Sequence, residues 1–360
     1  MKILFVCGCL EPGADGVGDY IRSLGAALAA QGTSVRMLAL HDGAITDAVE
    51  DDADGFAWLR LPQSWPWERR LVRAEGWVSA FVPDWVSLQL VVFGFDARGL
   101  PFKLGPRLAR LCVGRKVHLM FHEIAMGFNL QAPSRHRFYG WLQRRILRDI
   151  AVKTRPVSIH TTTPFYQQWL AGLGIIAKLL PLHGNVPVSG NRDEGRRWLL
   201  ARLGLDESPY WLAGFFGGFS PTLDPARVQV WLERHPWRGR GLVVLTAGRI
   251  PSGAECHWKK IERAAAGAGR TLRLGVLSPD EVSRYLHGLD EGLTSYPGEL
   301  LGKSGAVAAM RAHGLNVTAL GALGVRSNSF CEHMEGPATM PEDTARRLLA
   351  SLGDERNAKA

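Results

Sequence analysis

The sequence predicts an α/β chain built from two open parallel-sheet domains. Continuous apolar runs such as KILFVC at 2–7 are typical of strands buried on both faces of a parallel sheet. A glycine-rich turn, a helix-spaced stretch and a second apolar run follow within about 40 residues, which is the pattern of a βαβ unit. The alternation restarts in the second half. At 360 residues the chain is also long for a single core, so we expect two domains.

Composition is ordinary for a globular enzyme, with 46% hydrophobic and 21% charged residues. No apolar run reaches the roughly 20 residues that a membrane span needs. We expect the N-terminal apolar run to be a first strand and not a signal peptide, because no small-residue cleavage site follows it. Five scattered cysteines fit reduced thiols, and we therefore expect a cytoplasmic protein.

The net charge of +9 favours anionic partners. Two helix-like runs, 135–149 and 192–202, hold the densest basic residues. The first interpretation of these runs is a solvated helix face. The second is peripheral contact with the inner membrane face, because apolar and basic side chains interleave in the first run. The interleaved residues are Trp141, Leu142, Ile146 and Leu147 with Arg144, Arg145 and Arg148. No zinc-finger, RNA-recognition or KH motif is present, so no nucleic-acid partner is expected.

In the first half, helical spacing over 19–32 precedes a strand in SVRMLALH. The stretch 56–102 is rich in Trp and Pro and less regular, and we expect it to shape the acceptor side of a site. Trp65 and Trp67 flank a proline there; core packing is the first interpretation and a sugar-stacking platform the second. Further buried strands are predicted in DWVSLQLVVF and KVHLMFHE.

Gly, Pro and Asn cluster at 184–191, which predicts a domain boundary. We therefore divide the chain into an N-terminal domain at 1–187, a C-terminal domain at 188–339 and a final helix at 340–360. In the second half the strand-like runs alternate with helix-like runs such as PDEVSRYLHGL. The final helix has a capping-type start in MPEDTARRLLASLG.

The stretch SYPGELLGKSGAVAAM at 295–310 is similar to a phosphate-binding loop. It is one residue short of the Walker pattern and lies near the end of the chain, which argues against an NTPase. A strand that leads through a turn into a helix near Ser304 still favours an anion, because free N–H groups and Lys303 are close together. The alternative is that Ser304 is only a helix N-cap.

Several motifs together resemble the retaining family-four glycosyltransferases of the GT-B fold. ADGVGDYIRSLGAALAAQG resembles the first turn and helix of that family, MFHEIAMG its strand end with a histidine, and PLHGNVP its interdomain linker. AVAAMRAHGLNV resembles the helix after its phosphate-binding turn. The resemblance implies two Rossmann-like open sheets facing a cleft, with the C-terminal helix crossing back onto the N-terminal domain.

The resemblance also implies the activity and the site. It implies an enzyme that moves a sugar from a nucleotide-diphosphate sugar to a saccharide, lipid-linked or small-molecule acceptor, with no separate cofactor. His122 and Glu299 are the implied catalytic residues. The implied donor-binding residues are Gly16, Gly18, Gly217, Gly218, Arg249, Gly302, Lys303, Ser304 and Gly305.

The chain departs from the family pattern at two places. The family carries two glutamates seven residues apart around this helix start, where this chain has Leu300 and Ala308, with Glu299 one residue early. The family's Arg and Lys diphosphate clamp is missing from GFFGGFSPTLDP, which offers glycines, Ser220 and Thr222. We expect Arg249 and Lys303 to supply the positive charge instead.

In this fold a helix N-terminus and basic side chains stabilise the leaving diphosphate, so no metal site is expected. Asp52 and Asp54 form an Asp-x-Asp, the pattern of metal-dependent transferases, but the acidic run around them predicts a solvated loop. His160, His183 and His313 are predicted to be structural.

Three alternatives stay open: a non-catalytic nucleotide-sugar-binding protein, a nucleotide-sugar 2-epimerase of the same fold, and a dinucleotide-dependent oxidoreductase. The last would need Asp42 to bind a ribose.

Overall fold

The computed structural model describes residues 1–13, 15–53, 55–127, 132–206, 209–234, 239–250, 252–323 and 338–357. The chain forms two compact units. The N-terminal unit consists of Met1–Leu182 together with the C-terminal segment from Pro341, and the C-terminal unit is His183–Met340. The sequence had placed these boundaries at 187/188 and 339/340.

The N-terminal unit is built on an eight-stranded sheet with the order β3-β4-β2-β1-β5-β6-β7-β8. All neighbouring strands run parallel except β3 and β4. The strands are β1 (Lys2–Cys7), β2 (Ser34–Asp42), β3 (Val49–Ala53), β4 (Phe56–Pro62), β5 (Trp85–Leu90), β6 (Lys116–Phe121), β7 (Ser158–Thr161) and β8 (Lys178–Leu179). The interior strands β1 and β5 are almost wholly buried, as their continuous apolar sequences predict.

The acidic run predicted as a solvated loop is in fact strand β3. It pairs antiparallel with β4, with Val49 opposite Arg60 and Asp52 opposite Ala57. The prediction was wrong because a charged, exposed strand at the edge of a sheet lacks the apolar alternation by which strands are recognised. Asp52 is exposed. Asp54 lies outside the described residues.

Five helices of the N-terminal unit connect these strands: α1 (Gly16–Ala30), α2 (Trp67–Phe81), α3 (Leu104–Cys112), α4 (Ser134–Thr154) and α5 (Pro164–Ala171). The side chain of Asp15 caps α1 by accepting from the N–H of Val17. Ile21, Leu24 and Leu28 recur at helical spacing and are buried against the sheet.

The interleaved residues of α4 do not share one face. Ile146 and Leu147 are buried in the core, whereas Trp141, Arg145 and Arg148 are exposed. Residues adjacent in sequence are separated by about 100° around a helix, so interleaving in the sequence does not place them on one surface.

The C-terminal unit has a five-stranded parallel sheet with the order β11-β10-β9-β12-β13. The strands are β9 (Tyr210–Phe216), β10 (Gly241–Ala247), β11 (Gly269–Gly275), β12 (Glu291–Pro297) and β13 (Val317–Gly321). The helices are α6 (Arg192–Leu203), α7 (Pro225–Arg234), α8 (Glu255–Ala265), α9 (Pro279–Gly288) and α10 (Gly305–Ala312). A separate apolar cluster covers each face of this sheet, so the unit is a three-layer α/β structure.

The last helix, α11 (Pro341–Asn357), returns to the N-terminal unit. Ala345, Leu348 and Leu352 are fully buried in the same apolar cluster as Ile21 and Leu28 of α1. This is the helix crossing that the family resemblance implies. Among the described residues, no helix is both long enough and apolar enough to cross a bilayer.

Candidate functional site

The turn between β12 and α10 has the geometry of an anion seat. β12 ends at Pro297, a 3-10 turn spans Gly298–Lys303, and α10 begins at Gly305. Ser304 caps this helix: its Oγ accepts from the N–H of Val307 at 3.3 Å. The cap satisfies one free donor of the first turn and leaves the N–H groups of Gly305 and Ala306 without intrahelical acceptors. Ser304 therefore serves as an N-cap, and the backbone beside it is what can bind an anion.

Two charged residues of the same turn flank the helix start. The Nζ of Lys303 lies 5.1 Å from the ring centroid of Tyr296, and its side chain is half-buried. Glu299 is also half-buried, at the second position of the 3-10 turn. Leu300 belongs to the buried interior, so the position of the family's first glutamate is a packing position in this chain.

The loop after β9 lies directly against the first turn of α10. The N–H of Gly217 donates to Ala247 O at 3.1 Å, and its φ of 83° favours glycine. A Cβ on Gly217 would lie only 3.3 Å from the Cβ of Ala306. Gly218 is exposed with open space around its Cα. The structure therefore brings Gly217 and Gly218 to the helix start where Gly302, Lys303, Ser304 and Gly305 lie.

Arg249 follows the end of β10 and is exposed. β10 is the parallel neighbour of β9, with Ala247 opposite Phe216, so Arg249 and the β9 loop lie at the same carboxyl edge of the sheet. This is the edge at which open α/β sheets bind ligands. The edge thus combines a helix N-terminus, two basic side chains and small residues.

In the N-terminal unit, His122 follows the end of β6 and is buried. Its Nε2 lies 2.8 Å from Gln89 Oε1, and its ring packs edge-to-face on Tyr20 at 5.0 Å between centroids. Because an amide oxygen only accepts hydrogen bonds, this arrangement places the imidazole proton on Nε2. The contact therefore fixes the orientation of the ring, with a proton on Nε2.

The contact with Gln89 is the first link of a buried hydrogen-bond chain across three strands. Gln89 Nε2 donates to Ser87 Oγ at 2.7 Å, and Ser87 Oγ lies 2.7 Å from His118 Nδ1. His118 Nε2 in turn lies 3.0 Å from His160 Nδ1. Burial lowers the pKa of His118 well below its usual value and lowers that of His160 to about 4. His118 and His160 are thus neutral near pH 7.

Residues 15–184 match the family model described as a glycosyl transferase 4-like domain. The match spans 170 of the 360 residues, so this part of the chain is similar to a glycosyl transferase 4-like domain. The matched range covers nearly all of the N-terminal unit up to the boundary at 182/183, including both glycines of the first turn and His122. The prediction of a glycosyltransferase is confirmed at this level.

Solved structures extend the likeness of this glycosyltransferase chain to its whole length. HepE of Anabaena, in complex with UDP and glucose, aligns over 99% of this chain and 91% of its own at 14% identity, with a TM-score of 0.57. Sucrose-phosphate synthase of Thermosynechococcus elongatus aligns over 99% and 90% at 16% identity, with a TM-score of 0.58. A glycosyltransferase of Rickettsia africae aligns over 98% and 88% at 11% identity, with a TM-score of 0.56. These likenesses confirm the GT-B fold. A search of curated proteins by sequence finds no match.

In the glycosyltransferase domain, the two glycines of the first turn differ in their surroundings. Gly16 is exposed, with open space around its Cα. Gly18 is buried, and a Cβ there would lie 2.7 Å from Cys9 O. Gly18 therefore allows α1 to pack closely on the backbone after β1, whereas Gly16 leaves the start of α1 open to a ligand.

Asp42 is a structural anchor of the glycosyltransferase domain. Its carboxylate accepts from Arg60 Nε at 2.7 Å and from the N–H groups of Leu10 and Ala44. Burial raises the pKa of Asp42, but these hydrogen bonds outweigh burial and hold it below the usual value. A carboxylate engaged in this way is not placed to bind a ribose, which removes the main support for a dinucleotide-dependent oxidoreductase.

Several polar residues singled out in the sequence are engaged in internal contacts. Ser220 Oγ and Thr222 Oγ1 lie 2.6 Å apart, and Thr222 Oγ1 donates to Ser295 O. His313 lies 2.9 Å from Ser283 Oγ through Nε2 and 2.8 Å from Ala309 O through Nδ1. Ser220 and Thr222 thus hold the β9 loop on β12 and do not replace the diphosphate clamp. His313 is structural, as predicted.

Asn185 is a further candidate site residue, which the sequence motifs alone did not reveal. Gly184 packs on α10, where a Cβ would lie 2.8 Å from the Cα of Ala309. This contact brings the exposed Asn185 to the helix start, with its Oδ1 3.7 Å from the position of a Cβ on Gly305. The Gly-Asn pair of the linker motif was the available signal, but its partner helix lies more than 100 residues later in the chain.

Within the described part of the chain, no group of three or more His, Cys, Asp or Glu side chains is placed to hold a metal ion.

The thiols of Cys7 and Cys9 make hydrogen bonds inside the N-terminal unit. Cys7 Sγ donates to Cys9 O, and Cys9 Sγ donates to Asp42. Burial raises the pKa of the Cys9 thiol to about 11, so it is protonated near pH 7.

Proposed function

We propose that the chain transfers a sugar from a nucleoside diphosphate sugar to a saccharide, lipid-linked or small-molecule acceptor, with retention and without a metal ion. The observation that carries the proposal is the seat at the start of α10, where Lys303 and the free N–H groups of the helix meet the glycines of the β9 loop. UDP and UDP-glucose are the donors to test first, because HepE has been solved with both.

The seat supports the departure of the diphosphate. Negative charge grows on the leaving group as the glycosidic bond breaks, and the N-terminus of α10 with Lys303 and Arg249 would stabilise that charge. The fixed backbone donors need no reorganisation during the step. The family resemblance implies that the leaving phosphate itself accepts the proton of the acceptor hydroxyl, which would account for retention without a separate general base.

His122 and Glu299 would act on the transferring sugar. Gln89 holds the His122 ring in one orientation, so His122 would form a directed hydrogen bond to a sugar hydroxyl. Glu299 would take the place of the family's first glutamate as an acceptor for another hydroxyl. The nucleotide would be bound without the family's second glutamate, because Ala308 occupies that position.

Thermal unfolding with UDP, GDP and ADP tests the donor seat. A ligand at 100 times its Kd adds about 2.7 kcal/mol of stability. At about 2–4 °C per kcal/mol for domains of roughly 150–250 residues, this is a rise of several degrees in Tm. We expect the Lys303→Ala variant to lose the rise and the Lys259→Ala variant, on the exposed side of α8, to retain it. A rise that is unchanged in Lys303→Ala, or a response to NAD alone, would contradict the proposal.

Release of UDP from a donor sugar distinguishes an enzyme from a non-catalytic binding protein. We expect slow hydrolysis without acceptor, lost in His122→Ala and insensitive to EDTA. Nuclear magnetic resonance of the product reports whether the anomeric configuration is retained. Binding of UDP without any turnover would favour the non-catalytic alternative. Inversion of the configuration at carbon 2 of the donor sugar would favour the epimerase.

We also propose peripheral contact with an anionic membrane through α4. Phe138 and Trp141 are exposed and stack on each other at 5.9 Å, and the guanidinium of Arg145 lies 4.0 Å from the Trp141 ring centroid. Aromatic and basic side chains on one helix face favour an anionic bilayer surface. Sedimentation with anionic vesicles should fall in a Phe138→Ser, Trp141→Ser variant, and equal sedimentation of variant and wild type would refute the contact.

A further inference from the structure

A group of cationic and aromatic side chains lies at the carboxyl edge of the N-terminal sheet, apart from His122. It consists of His41 near the end of β2, Trp67 and Arg70 in the first turns of α2, and Arg107 in α3; we call it the Arg70–Arg107 cluster. Trp67 is its centre: the guanidinium carbon of Arg70 lies 4.0 Å and that of Arg107 4.4 Å from the ring centroid. The His41 ring stacks on Trp67 at 6.2 Å.

Arg70 is the deepest cation of the cluster, with 3% of its surface exposed. Its Nη1 donates to Leu40 O at 2.7 Å, whereas its buried Nε has no hydrogen-bond partner among the described residues. Burial, reinforced by the charge of Arg107, lowers the pKa of Arg70 to about 10. A buried guanidinium is normally paired with a carboxylate, since an unpaired charge costs free energy away from water.

The carboxylates around the cluster are engaged elsewhere. Glu68 and Glu75 both bind Arg110, at 2.8 and 2.6 Å. Burial and the charge of Arg70 lower the pKa of His41, although Asp96 acts in the opposite direction. The Oδ1 of Asp96 accepts from the N–H groups of Arg98 and Leu100. Arg107 is half-buried and donates only weakly to Phe102 O, at 3.4 Å. In the described chain, Arg70 and Arg107 thus have ring and backbone partners but no ion pair.

We propose that the Arg70–Arg107 cluster binds the phosphoryl group of a phosphorylated acceptor. Two partly desolvated guanidinium groups that contact the same Trp67 ring match a dianionic, tetrahedral group, to which arginine donates in a bidentate manner. The ring of Trp67 supplies an apolar wall. The cluster also lies at the ends of β2 and β4, the edge of an open α/β sheet at which ligands bind. The inference rests on the proposed function only in calling the bound molecule an acceptor.

Binding of glucose 6-phosphate, measured by calorimetric titration with saturating UDP present to occupy the donor seat, tests the proposal. We expect wild-type protein to bind glucose 6-phosphate and not glucose. The Arg70→Met and Arg107→Met variants should each bind at least about tenfold more weakly, because each loses a charge-assisted hydrogen-bond donor. The Arg110→Met variant is the matched control. Arg110 lies in α3, as Arg107 does, but it is already paired with Glu75 and Glu68.

The Tm of Arg70→Met without ligand distinguishes a phosphoryl-binding role of Arg70 from a merely structural role. Arg70→Met keeps the volume of the side chain and removes an uncompensated buried charge, so we expect Tm without ligand to stay unchanged or rise. The UDP response should be the same in Arg70→Met as in wild type. If UDP gives no response while binding of glucose 6-phosphate still depends on Arg70, the proposed function fails and the anion site stands.

Vesicles of phosphatidic acid serve as a second probe, because the phosphoryl group can come from a soluble sugar phosphate or from a lipid. Binding to these vesicles that is weakened in Arg70→Met but not in Arg110→Met would assign the phosphoryl group to a lipid. Glucose 6-phosphate binding with the same dependence would assign it to a soluble acceptor. If neither probe binds in a manner that depends on Arg70 and Arg107, or if Arg70→Met is destabilised with binding intact, the proposal is overturned.

Discussion

At the scale of the residue, the protonation state of His118 and His160 is set mainly by their burial. His118 and His160 sit side by side across two parallel strands, with ring centroids 5.0 Å apart. Both are buried, and burial disfavours the charged imidazolium. Gln89 and Ser87 connect the ring of His122 to these two rings by hydrogen bonds.

This burial predicts a loss of stability in mild acid. The pKa of His160 is about 4 in the folded chain against about 6.5 when unfolded. Above pH 6.5 both states are neutral; between pH 6.5 and 4 only the unfolded chain takes up the proton, so the free energy of unfolding falls as the pH falls. At about 1.4 kcal/mol per pKa unit, the loss is on the order of 3 kcal/mol. Urea unfolding between pH 4 and 7 measures it.

In the His160→Gln variant, the slope of the free energy of unfolding against pH should be smaller, by the equivalent of close to one bound proton. Glutamine can accept the hydrogen bond from His118 but does not titrate. Ser158→Ala, a buried change in the same strand that lies outside the chain of rings, should keep the slope of the wild type. Equal slopes in wild type and His160→Gln would show that His160 is not the titrating group.

At the scale of the element, α10 depends on a close contact with the linker segment around Gly184, which belongs to the same unit. Gly184 faces the backbone of Ala308 and Ala309, with no room for a side chain. This contact places Asn185 beside Gly305, where the anion would bind. The position of the helix start is therefore set by the linker as much as by the turn that precedes it.

Gly184→Ala should disturb both the packing and the anion seat. A Cβ 2.8 Å from a backbone atom forces the helix or the linker to move, which typically costs about 1–3 kcal/mol. We expect a lower Tm and a weaker UDP response than in wild type. Gly267→Ala, in the same unit but with open space around its Cα, is the control and should leave both unchanged. Wild-type Tm and UDP response in Gly184→Ala would exclude this coupling.

Elements differed in how far the sequence could predict them. β1, β5 and α1 follow from apolar runs and helical spacing because their burial comes from one regular pattern. β3 could not be predicted in that way, since its pairing with β4 depends on main-chain hydrogen bonds and not on its acidic side chains. The same difference holds for the candidate site. The start of α10 at Ser304 follows from the local sequence, whereas the hydrogen-bond chain from His122 to His160 depends on which strands are neighbours.

At the scale of the whole molecule, the chain leaves the N-terminal unit after Leu182 and returns to it at Pro341. The returning helix α11 fills the core beside α1, with Leu348 and Leu352 fully buried. The core of the N-terminal unit is therefore completed only by α11, which follows the whole C-terminal unit in the sequence. Folding of the N-terminal unit is thus linked to α11.

Removal of one buried side chain from α11 should therefore weaken the N-terminal unit. We expect Leu348→Ala to cost about 2–5 kcal/mol through the lost burial and the cavity. Hydrogen exchange should show lower protection in β1 and α1 and unchanged protection in β9 and β10. Arg347→Ala, exposed on the same helix, should change neither. A loss of protection in the C-terminal unit, or none in the N-terminal unit, would contradict the link.

The sequence by itself determined the two α/β units, the final helix and the strand, turn and helix start at 297–305, because each depends on a local periodicity or on one short motif. Only the tertiary structure decided the partners of these features. The chain from His122 to His160, the approach of Asn185 to α10 and the Arg70–Arg107 cluster all join residues far apart in sequence. The protonation states and contacts of these groups depend on burial and on which side chains become neighbours. A local sequence pattern predicts neither.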